Sequence, residues 1–207
     1  MRKWIWVLGA GLLVLGISIT YWFYQIVFIA NVKTKTATQF FYIPTGCSYE
    51  ALTDLLTKEQ LLIHSYSFNG LAPILNLDAH VKPGRYELHD GMSNLELIRM
   101  LRSGSQSPVD LVLLEYRTLN DLSKFISRKL ECDSAELQQC FNDSLFLDSL
   151  GFNHQTIISI IIPNTYEFYW NTSAKQFLLR MKKEYNKFWI SNRIQLANEK
   201  GMSPIAV

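Results

Sequence analysis

The sequence predicts an α+β protein: an N-terminal transmembrane helix, then a small α+β module, then a mainly helical domain that also contains strands. Three observations predict this fold class. A long uncharged segment opens the chain, one helix-start pattern occurs three times, and an extended segment lies near each copy. The predicted boundaries are residues 1–33 for a cytoplasmic stub and anchor, 38–107 for the module and 108–207 for the second domain.

The first element is predicted to be a membrane anchor, because residues 4–30 contain no charged side chain. These 27 residues exceed the roughly 20 that cross a bilayer core. No small-residue cleavage site follows the run, so a retained anchor is favoured over a cleaved signal peptide. Aromatic side chains suited to the membrane interface lie toward the two ends of the run: Trp4, Trp6, Tyr21, Trp22 and Tyr24.

Basic residues flank the anchor on both sides and indicate its orientation only weakly. Arg2 and Lys3 precede the span, and Lys33 and Lys35 follow it. The positive-inside rule then slightly favours a cytoplasmic N-terminus. We therefore expect a single-pass protein of the cytoplasmic (inner) membrane, with the bulk of the chain on the periplasmic or extracytoplasmic side.

The repeated helix-start pattern begins with a hydroxyl N-cap at Ser48, Ser93 and Thr118. Leucine follows four residues after each cap, and an apolar pair follows at seven and eight residues. This spacing is typical of an amphipathic helix that buries one face. Ser93 with Glu96, and Thr118 with Asp121, also have the spacing of a capping box.

Extended segments are predicted at residues 38–44, 84–91 and 109–116. The first two belong to the module, which ends in the Gly-, Ser- and Pro-rich stretch 102–110. Pro83 followed by Gly84 predicts a type II turn before the second segment, because proline supplies the fixed φ and glycine the positive φ.

Helical patterns dominate the second domain. We predict one helix that starts at Asp133 or Ser134, a further turn over 143–150, and a long helix from a cap at 171–173 to about residue 198. Between them an apolar run ends at Pro163 and opens into a predicted polar and aromatic loop. Such loops on rigid elements often form binding clefts. Glu167 is the loop's lone carboxylate, with no second acid expected nearby.

Composition argues against several classes of site. The net charge of +2 comes without a basic stripe, so no nucleic-acid partner is expected. Cys47, Cys132 and Cys140 are odd in number and include no CxxC, which predicts neither a disulfide framework nor a zinc site. Cys132 and Cys140 could pair, but small buried thiols are favoured. The four histidines are scattered, and no metal is indicated.

Three segments together carry a resemblance to a known family. They are "YIPTGCSYEALTDLL" (42–56), "VKPGRYELHDGMSNLELIRMLRSG" (81–104) and "IPNTYEFYW" (162–170). With the N-terminal anchor, and in this order, they resemble the MltG (YceG-like) endolytic murein transglycosylases, in which the last segment reads like "FPDTYEF". Asn164 stands where many members have aspartate, and "LLEYRT" (113–118) replaces the usual "IPEGxT".

The resemblance implies a membrane-anchored lytic transglycosylase, a lyase that acts in cell-wall biogenesis. Residues 38–107 would form a LysM-like module, and 108–207 the N-terminal part of the catalytic domain. The family cleaves the β-1,4 bond between N-acetylmuramic acid and N-acetylglucosamine in nascent glycan strands. The sugar's own 6-hydroxyl attacks, leaving a 1,6-anhydro end. One protonated carboxyl group suffices, so no metal or organic cofactor is required.

The family's catalytic glutamate is not matched in this sequence. In the family it lies in a motif like "ASIVEKE", on a helix after a segment like "MTPxEx", which "GMSPIAV" (201–207) resembles. The general acid is therefore expected beyond Val207, and these 207 residues are expected to be an inactive fragment. Glu167 is not that acid. The candidate residues for the substrate cleft are Asn164, Thr165, Tyr166 and Glu167.

The expected partners are peptidoglycan glycan strands and the lipid bilayer, with cell-wall synthases as further candidates. The alternative function is a non-catalytic, membrane-tethered peptidoglycan-binding or scaffold protein. Retention on peptidoglycan without cleavage would favour that alternative.

Overall fold

A computed structural model describes residues 2–205 and divides the chain into two compact units, Met1–Ser107 and Pro108–Val207. Each unit contains one two-stranded antiparallel sheet with helices packed against it. The predicted α+β class with one N-terminal apolar helix is confirmed.

The N-terminal helix α1 spans Arg2–Phe28. Its segment Gly9–Phe28 has the length and hydropathy of a membrane span or a signal sequence. Large apolar side chains along it are exposed; Leu12, for example, is 69% exposed. The side chains of Trp4 and Trp6, predicted as interface residues, lie outside those that the structure describes.

The first unit continues with two strands and three helices: β1 (Thr38–Ile43), α2 (Tyr49–Lys58), α3 (Ser65–Ile74), β2 (Gly84–His89) and α4 (Asn94–Ser103). β1 and β2 pair antiparallel, with Thr38 opposite His89 and Ile43 opposite Gly84. Helix α3 was not predicted from the sequence. The core lies between the sheet and the helices, and its members include Phe41, Leu52, Leu56, Phe68, Tyr86, Leu97 and Leu101.

All three predicted helix caps are confirmed. Ser48 Oγ accepts a hydrogen bond from the Ala51 N–H at 3.2 Å. Ser93 and Glu96 form the full capping box at the start of α4. Thr118 Oγ1 caps the third helix by accepting from the Asp121 N–H at 3.1 Å, and its hydroxyl donates to the Asp121 carboxylate at 2.7 Å. A side-chain oxygen at this position satisfies an N–H that has no partner within the helix.

The type II turn predicted at Pro83–Gly84 is not formed, because Gly84 is the first residue of β2. Its φ of +142° is still one that glycine favours. A Cβ at this position would lie 2.1 Å from the side chain of Gln106. The positive φ therefore explains the glycine, and the close approach of the Gln106 side chain adds to it.

The second unit contains two strands, five α-helices and one 3₁₀ turn among the residues described: β3 (Val109–Leu113), α5 (Leu119–Ser127), α6 (Ser134–Asn142), α7 (Ser144–Leu150), the 3₁₀ turn Ile157–Ile160, β4 (Asn164–Phe168), α8 (Ala174–Phe188) and α9 (Ser191–Glu199). Its separate core gathers apolar side chains from the sheet and helices, among them Leu111, Ile126, Phe141, Phe168, Phe177 and Met181. Cys132 and Cys140 are buried, as predicted.

The long helix predicted to end near residue 198 is interrupted at Trp189 and Ile190, so the single-helix prediction is wrong. Arg193 stabilises the break. Its Nη1 donates to the Phe188 carbonyl at 2.8 Å, and its guanidinium lies 4.2 Å from the centre of the Phe188 ring. This side chain satisfies a carbonyl that the helix end leaves open.

The segment 201–207, which resembles the family's "MTPxEx", reaches the limit of the described chain. Pro204 and Ile205 lie in a turn, and Ala206 and Val207 lie outside the described residues.

Candidate functional site

The segment predicted as a polar loop is strand β4. It pairs antiparallel with β3, so that Val109 lies opposite Phe168 and Leu113 opposite Asn164. The loop prediction is therefore wrong. Tyr166 and Phe168 point into the core, whereas the intervening Glu167 is exposed. This alternation is the two-residue period of a half-buried strand.

The four cleft candidates occupy different environments in β4. Tyr166 belongs to the core, its hydroxyl donates to the Ile162 carbonyl at 2.7 Å, and burial raises its pKa. Asn164, Thr165 and Glu167 are exposed. Thr165 and Glu167, two residues apart, share the outer face of the sheet. The structure therefore places two of the four candidates together on an accessible surface and gives Tyr166 a supporting position beneath it.

A second acid, Asp110, lies directly opposite Glu167 in the strand register. The expectation that Glu167 has no acid nearby is wrong. Directly opposite residues of an antiparallel pair have Cβ atoms about 4.5–5.5 Å apart, so the two exposed carboxylates face each other. The polar position of Asp110 within an apolar strand is visible in the sequence, but its partner depends on the pairing of β3 with β4.

A groove of about 480 Å³ lies beside Glu167, at the end of β4 and the start of α8. Thr172 Oγ1 donates to the Tyr169 carbonyl at 2.6 Å and holds the connection between strand and helix. Gln176 closes the capping box of α8 with Ser173. The groove is lined by Pro108, Glu167, Phe168, Tyr169, Thr172, Gln176 and Arg180. Of these lining residues, only Glu167 was predicted from the sequence as a site residue.

Arg180 supplies a positive charge to the groove, and two contacts position it. Its guanidinium lies 5.8 Å from the centre of the Phe168 ring, and its Nε donates to Glu184 Oε1 at 2.8 Å. Glu184 also accepts from Lys187 at 3.0 Å, and this bond, followed by the one from Arg180, lowers the pKa of the Glu184 carboxyl. The arginine is therefore held by a carboxylate that stays ionised at neutral pH.

The groove combines a carboxylate, a guanidinium and an accessible aromatic ring, since Tyr169 is 57% exposed. Such a surface can bind an elongated polar ligand: the ring packs on a flat apolar face, and the charged groups bond to hydroxyl, amide or carboxylate groups. Among the residues that the structure describes, Glu167 is the sole carboxylate lining the groove.

The model of the YceG-like family matches residues 41–207. This chain belongs to the YceG-like family. The predicted family is thereby confirmed, and the YceG-like match begins within β1 and includes β2, the pair of β3 with β4, and the groove.

One solved structure similar to the chain is the crystal structure of a yceG-like protein from Listeria monocytogenes. The two are 20% identical with a TM-score of 0.44, over 81% of this chain and 60% of that one. The chain thus spans 60% of the length of this solved structure. No curated protein matches the sequence.

Proposed function

We propose that this YceG-like chain acts in endolytic lytic transglycosylation of peptidoglycan at the membrane surface. The reaction cleaves the β-1,4 bond between N-acetylmuramic acid and N-acetylglucosamine in nascent strands and leaves 1,6-anhydro ends. The observation that carries the proposal is the family match over residues 41–207. The groove beside β4 supports it, because its mixture of charged, polar and aromatic side chains suits a glycan.

The reaction needs one carboxyl group. It donates a proton to the glycosidic oxygen as the bond from C1 breaks, the 6-hydroxyl of the same sugar attacks C1, and the hydroxyl proton returns to the carboxylate. No water is consumed, so no second carboxylate has to activate one. Among the described residues no carboxylate is assigned as this acid, and Glu167 is given a binding role.

The described residues bind and orient the glycan in this proposal. The Thr165 hydroxyl donates and accepts hydrogen bonds with sugar hydroxyl and acetamido groups along the outer face of β4, and the Glu167 carboxylate accepts hydrogen bonds from them. Tyr169 packs against a sugar ring. Arg180 pairs with a carboxylate of the muramic acid or its stem peptide. Tyr166 supports this surface from the core side.

We further propose that residues 38–107 form a LysM-like, glycan-binding module. The strand–helix–helix–strand order from β1 to β2, closed by one antiparallel sheet, supports this. A second groove of about 380 Å³ lies between the β1–α2 connection and α2. With α1 as a membrane anchor, both grooves would act near the outer surface of the cytoplasmic membrane, where cell-wall synthases are candidate partners.

Two measurements test the proposal. The protein purified from its native membrane should release 1,6-anhydro-ended fragments from peptidoglycan. Mass spectrometry detects these fragments. The 207-residue chain should be retained on the same peptidoglycan without cleaving it. Cleavage with ordinary reducing ends would contradict the transglycosylase mechanism.

Variants of the groove then locate the binding surface. Glu167→Gln and Tyr169→Ala should each weaken retention about tenfold, the effect of losing roughly 1.4 kcal/mol of binding. Glu136→Gln is the matched control, because Glu136 is exposed on α6 and does not line the groove. Equal retention by all three variants would show that the ligand binds elsewhere.

The alternative, a non-catalytic membrane-tethered peptidoglycan-binding protein, is favoured by one observation. The groove combines Glu167, Tyr169 and Arg180, which are side chains suited to binding a glycan, and none of the described residues matches the family's catalytic glutamate. Native protein that binds peptidoglycan and yields no anhydro ends would establish this alternative.

A further inference from the structure

The last turn of α1 is built into the core of the first unit. Val27 is only 5% exposed, and Ile26 packs against the same core. The amide nitrogen of Asn94, at the start of α4, donates to the Ile26 carbonyl at 2.9 Å. This bond satisfies one of the carbonyls that the end of α1 leaves open. The helix and the unit are therefore joined by packing and by a partly buried hydrogen bond, without a flexible linker.

Buried asparagines extend this joint to α3. Asn31 donates to Asn94 Oδ1 at 2.7 Å and to the His64 carbonyl at 3.2 Å, and it accepts from the His64 N–H at 2.7 Å. Asn94 also donates to Ser67 Oγ at 3.0 Å. Asn31 and Asn94 are 3% and 1% exposed. A fully paired network of this kind specifies one arrangement, because any displacement would leave buried amide groups without partners.

Helix α3, held in this way beside the end of α1, has an unusual surface. Residues 61–77 contain no Asp, Glu, Lys or Arg. Its buried side is formed by Ser67, Phe68, Leu71 and Ala72. Outside that buried side lie Tyr66 and Ile74, which are 69% and 67% exposed, and Ile63 just before the helix is 51% exposed. A helix facing water normally carries charged residues on that side.

The height of the joint at Val27 relative to a membrane follows from the geometry of α1. A helix rises about 1.5 Å per residue, so Val27 lies about 5 Å along the axis from Tyr24. Tyr24 is 55% exposed, as are neighbouring side chains of the apolar run. If Tyr24 lies at the boundary of the hydrocarbon, the joint at Val27 falls within the headgroup layer, which is about 5–8 Å thick. Phe28 and Ile29, 53% and 43% exposed, continue the apolar surface from α1 toward the unit.

We propose that α3 is a membrane-interface helix: Ile63, Tyr66 and Ile74 lie against the surface of the bilayer that α1 spans. This inference rests on the proposed role of α1 as a membrane anchor. The bilayer is the occupant because the exposed face is continuous with the anchor through a rigid joint. Lys33 and Lys35, both exposed just after α1, add charges that attract anionic headgroups. The unit is thus held at a fixed orientation on the membrane, and its glycan-binding surfaces act at a fixed height.

Single-cysteine variants of the full chain test this directly. Cys47→Ser removes the one partly exposed thiol, whereas Cys132 and Cys140 are buried, with raised pKa values that make them unreactive. A fluorophore is attached at Tyr66→Cys or Ile74→Cys, and the chain is placed in vesicles of phosphatidylcholine and phosphatidylglycerol that carry a headgroup spin label. Quenching at both positions should exceed that of a control by about threefold or more, as expected for side chains in the interfacial layer.

Ala51→Cys is the matched control within the same unit. Ala51 is exposed in the first turn of α2, and the far end of that helix leads to Leu61, whose carbonyl accepts from the Lys33 N–H. At about 1.5 Å of rise per residue, Ala51 lies about 10 Å along α2 from Lys58, the end of the helix nearer to the Leu61–Lys33 hydrogen bond. A label at Tyr24→Cys reports on the anchor itself.

The outcomes test the membrane anchor α1 and the interface helix α3 separately. Strong quenching at Tyr24, Tyr66 and Ile74 with weak quenching at Ala51 supports the interface helix. Strong quenching at Tyr24 alone overturns it while leaving the anchor intact, and would indicate that the α3 surface awaits a protein partner absent from pure lipid. Weak quenching at all four positions overturns the anchor, and the interface helix with it.

Discussion

The two strand pairs of this protein have similar inner faces and contrasting outer faces. In the first unit Phe41 lies opposite Tyr86, and in the second Leu111 lies opposite Tyr166, all of them buried. On the outer face of the first pair, the Arg85 guanidinium covers the Phe40 ring at 4.1 Å. On the outer face of the second pair, two carboxylates face each other instead.

This difference indicates that the outer face of β1–β2 is better suited to stabilising its unit and the outer face of β3–β4 to binding. A cation over an aromatic ring stabilises an exposed pair by about 0.5–1 kcal/mol. Like charges directly opposite each other destabilise a strand pair by about 0.2–1 kcal/mol. Proteins tend to keep such locally unfavourable arrangements where function requires them. The outer face of β3–β4, next to the groove, is therefore the better candidate for binding.

The largest expected effects concern the buried inner faces of the two strand pairs, which are similar. Phe41→Ala and Phe168→Ala should each destabilise their own unit by about 3–5 kcal/mol, because each removes a buried ring from a packed core. Phe40→Ala, on the outer face, should cost about 0.5–1 kcal/mol. Hydrogen exchange of peptides from each unit measures all three. An equal loss for Phe40→Ala and Phe41→Ala would contradict the assignment of the two faces.

Asn94→Ala should destabilise the first unit by about 1–3 kcal/mol, because Asn31 and the Ile26 carbonyl lose buried partners. The second unit should be unaffected, and local exchange should rise first at the end of α1 and in α3. Asn69→Ala, on the exposed side of α3, is the control. No difference between the two variants would mean that the buried network contributes little.

Alkaline pH should destabilise the two units over different pH ranges. Burial raises the pKa of Cys132, in the second unit, from 9.0 to about 11, and that of Tyr86, in the first, from 10.0 to about 12. Each group contributes its full stabilisation when the pH is below its pKa in the unfolded state. That stabilisation is lost as the pH rises through the higher pKa of the folded state. Cys132→Ala should therefore flatten the stability of the second unit between pH 9.0 and about 11. A pH dependence unchanged by this variant would count against ionisation of Cys132 as the cause.

The smallest expected effect concerns the repulsion between Glu167 and Asp110. Glu167→Gln should stabilise the second unit by about 0.2–1 kcal/mol at neutral pH, and high salt should reduce the gain by screening. Adding Asp110→Asn to it should bring little further gain, because the repulsion is already removed. Glu87→Gln in β2 is the control, since Glu87 lies opposite Phe40. Destabilisation by Glu167→Gln would mean that the carboxylate has a favourable contact.

Local signals predicted much of the fold and less of the site. The caps at Ser48, Ser93 and Thr118 were predicted because a cap and its N–H partner lie three residues apart. Helix α3 was missed because its first residue follows His64, which makes no side-chain cap. The long helix was predicted as continuous because the contact that ends it, from Arg193 to Phe188, depends on a side chain beyond the break.

Residues close together in the chain determined the apolar N-terminal helix, the capped helices and the family motifs. Their interactions span a few residues and can be recognised from spacing alone. Pairing between distant segments was decided by the tertiary structure. It turned the segment containing Glu167 into a strand, brought Asp110 opposite it, and joined Asn31 to Asn94 across 63 positions of the chain. Strand register and buried amide networks depend on which distant surfaces pack together, and the local pattern of residues does not specify that.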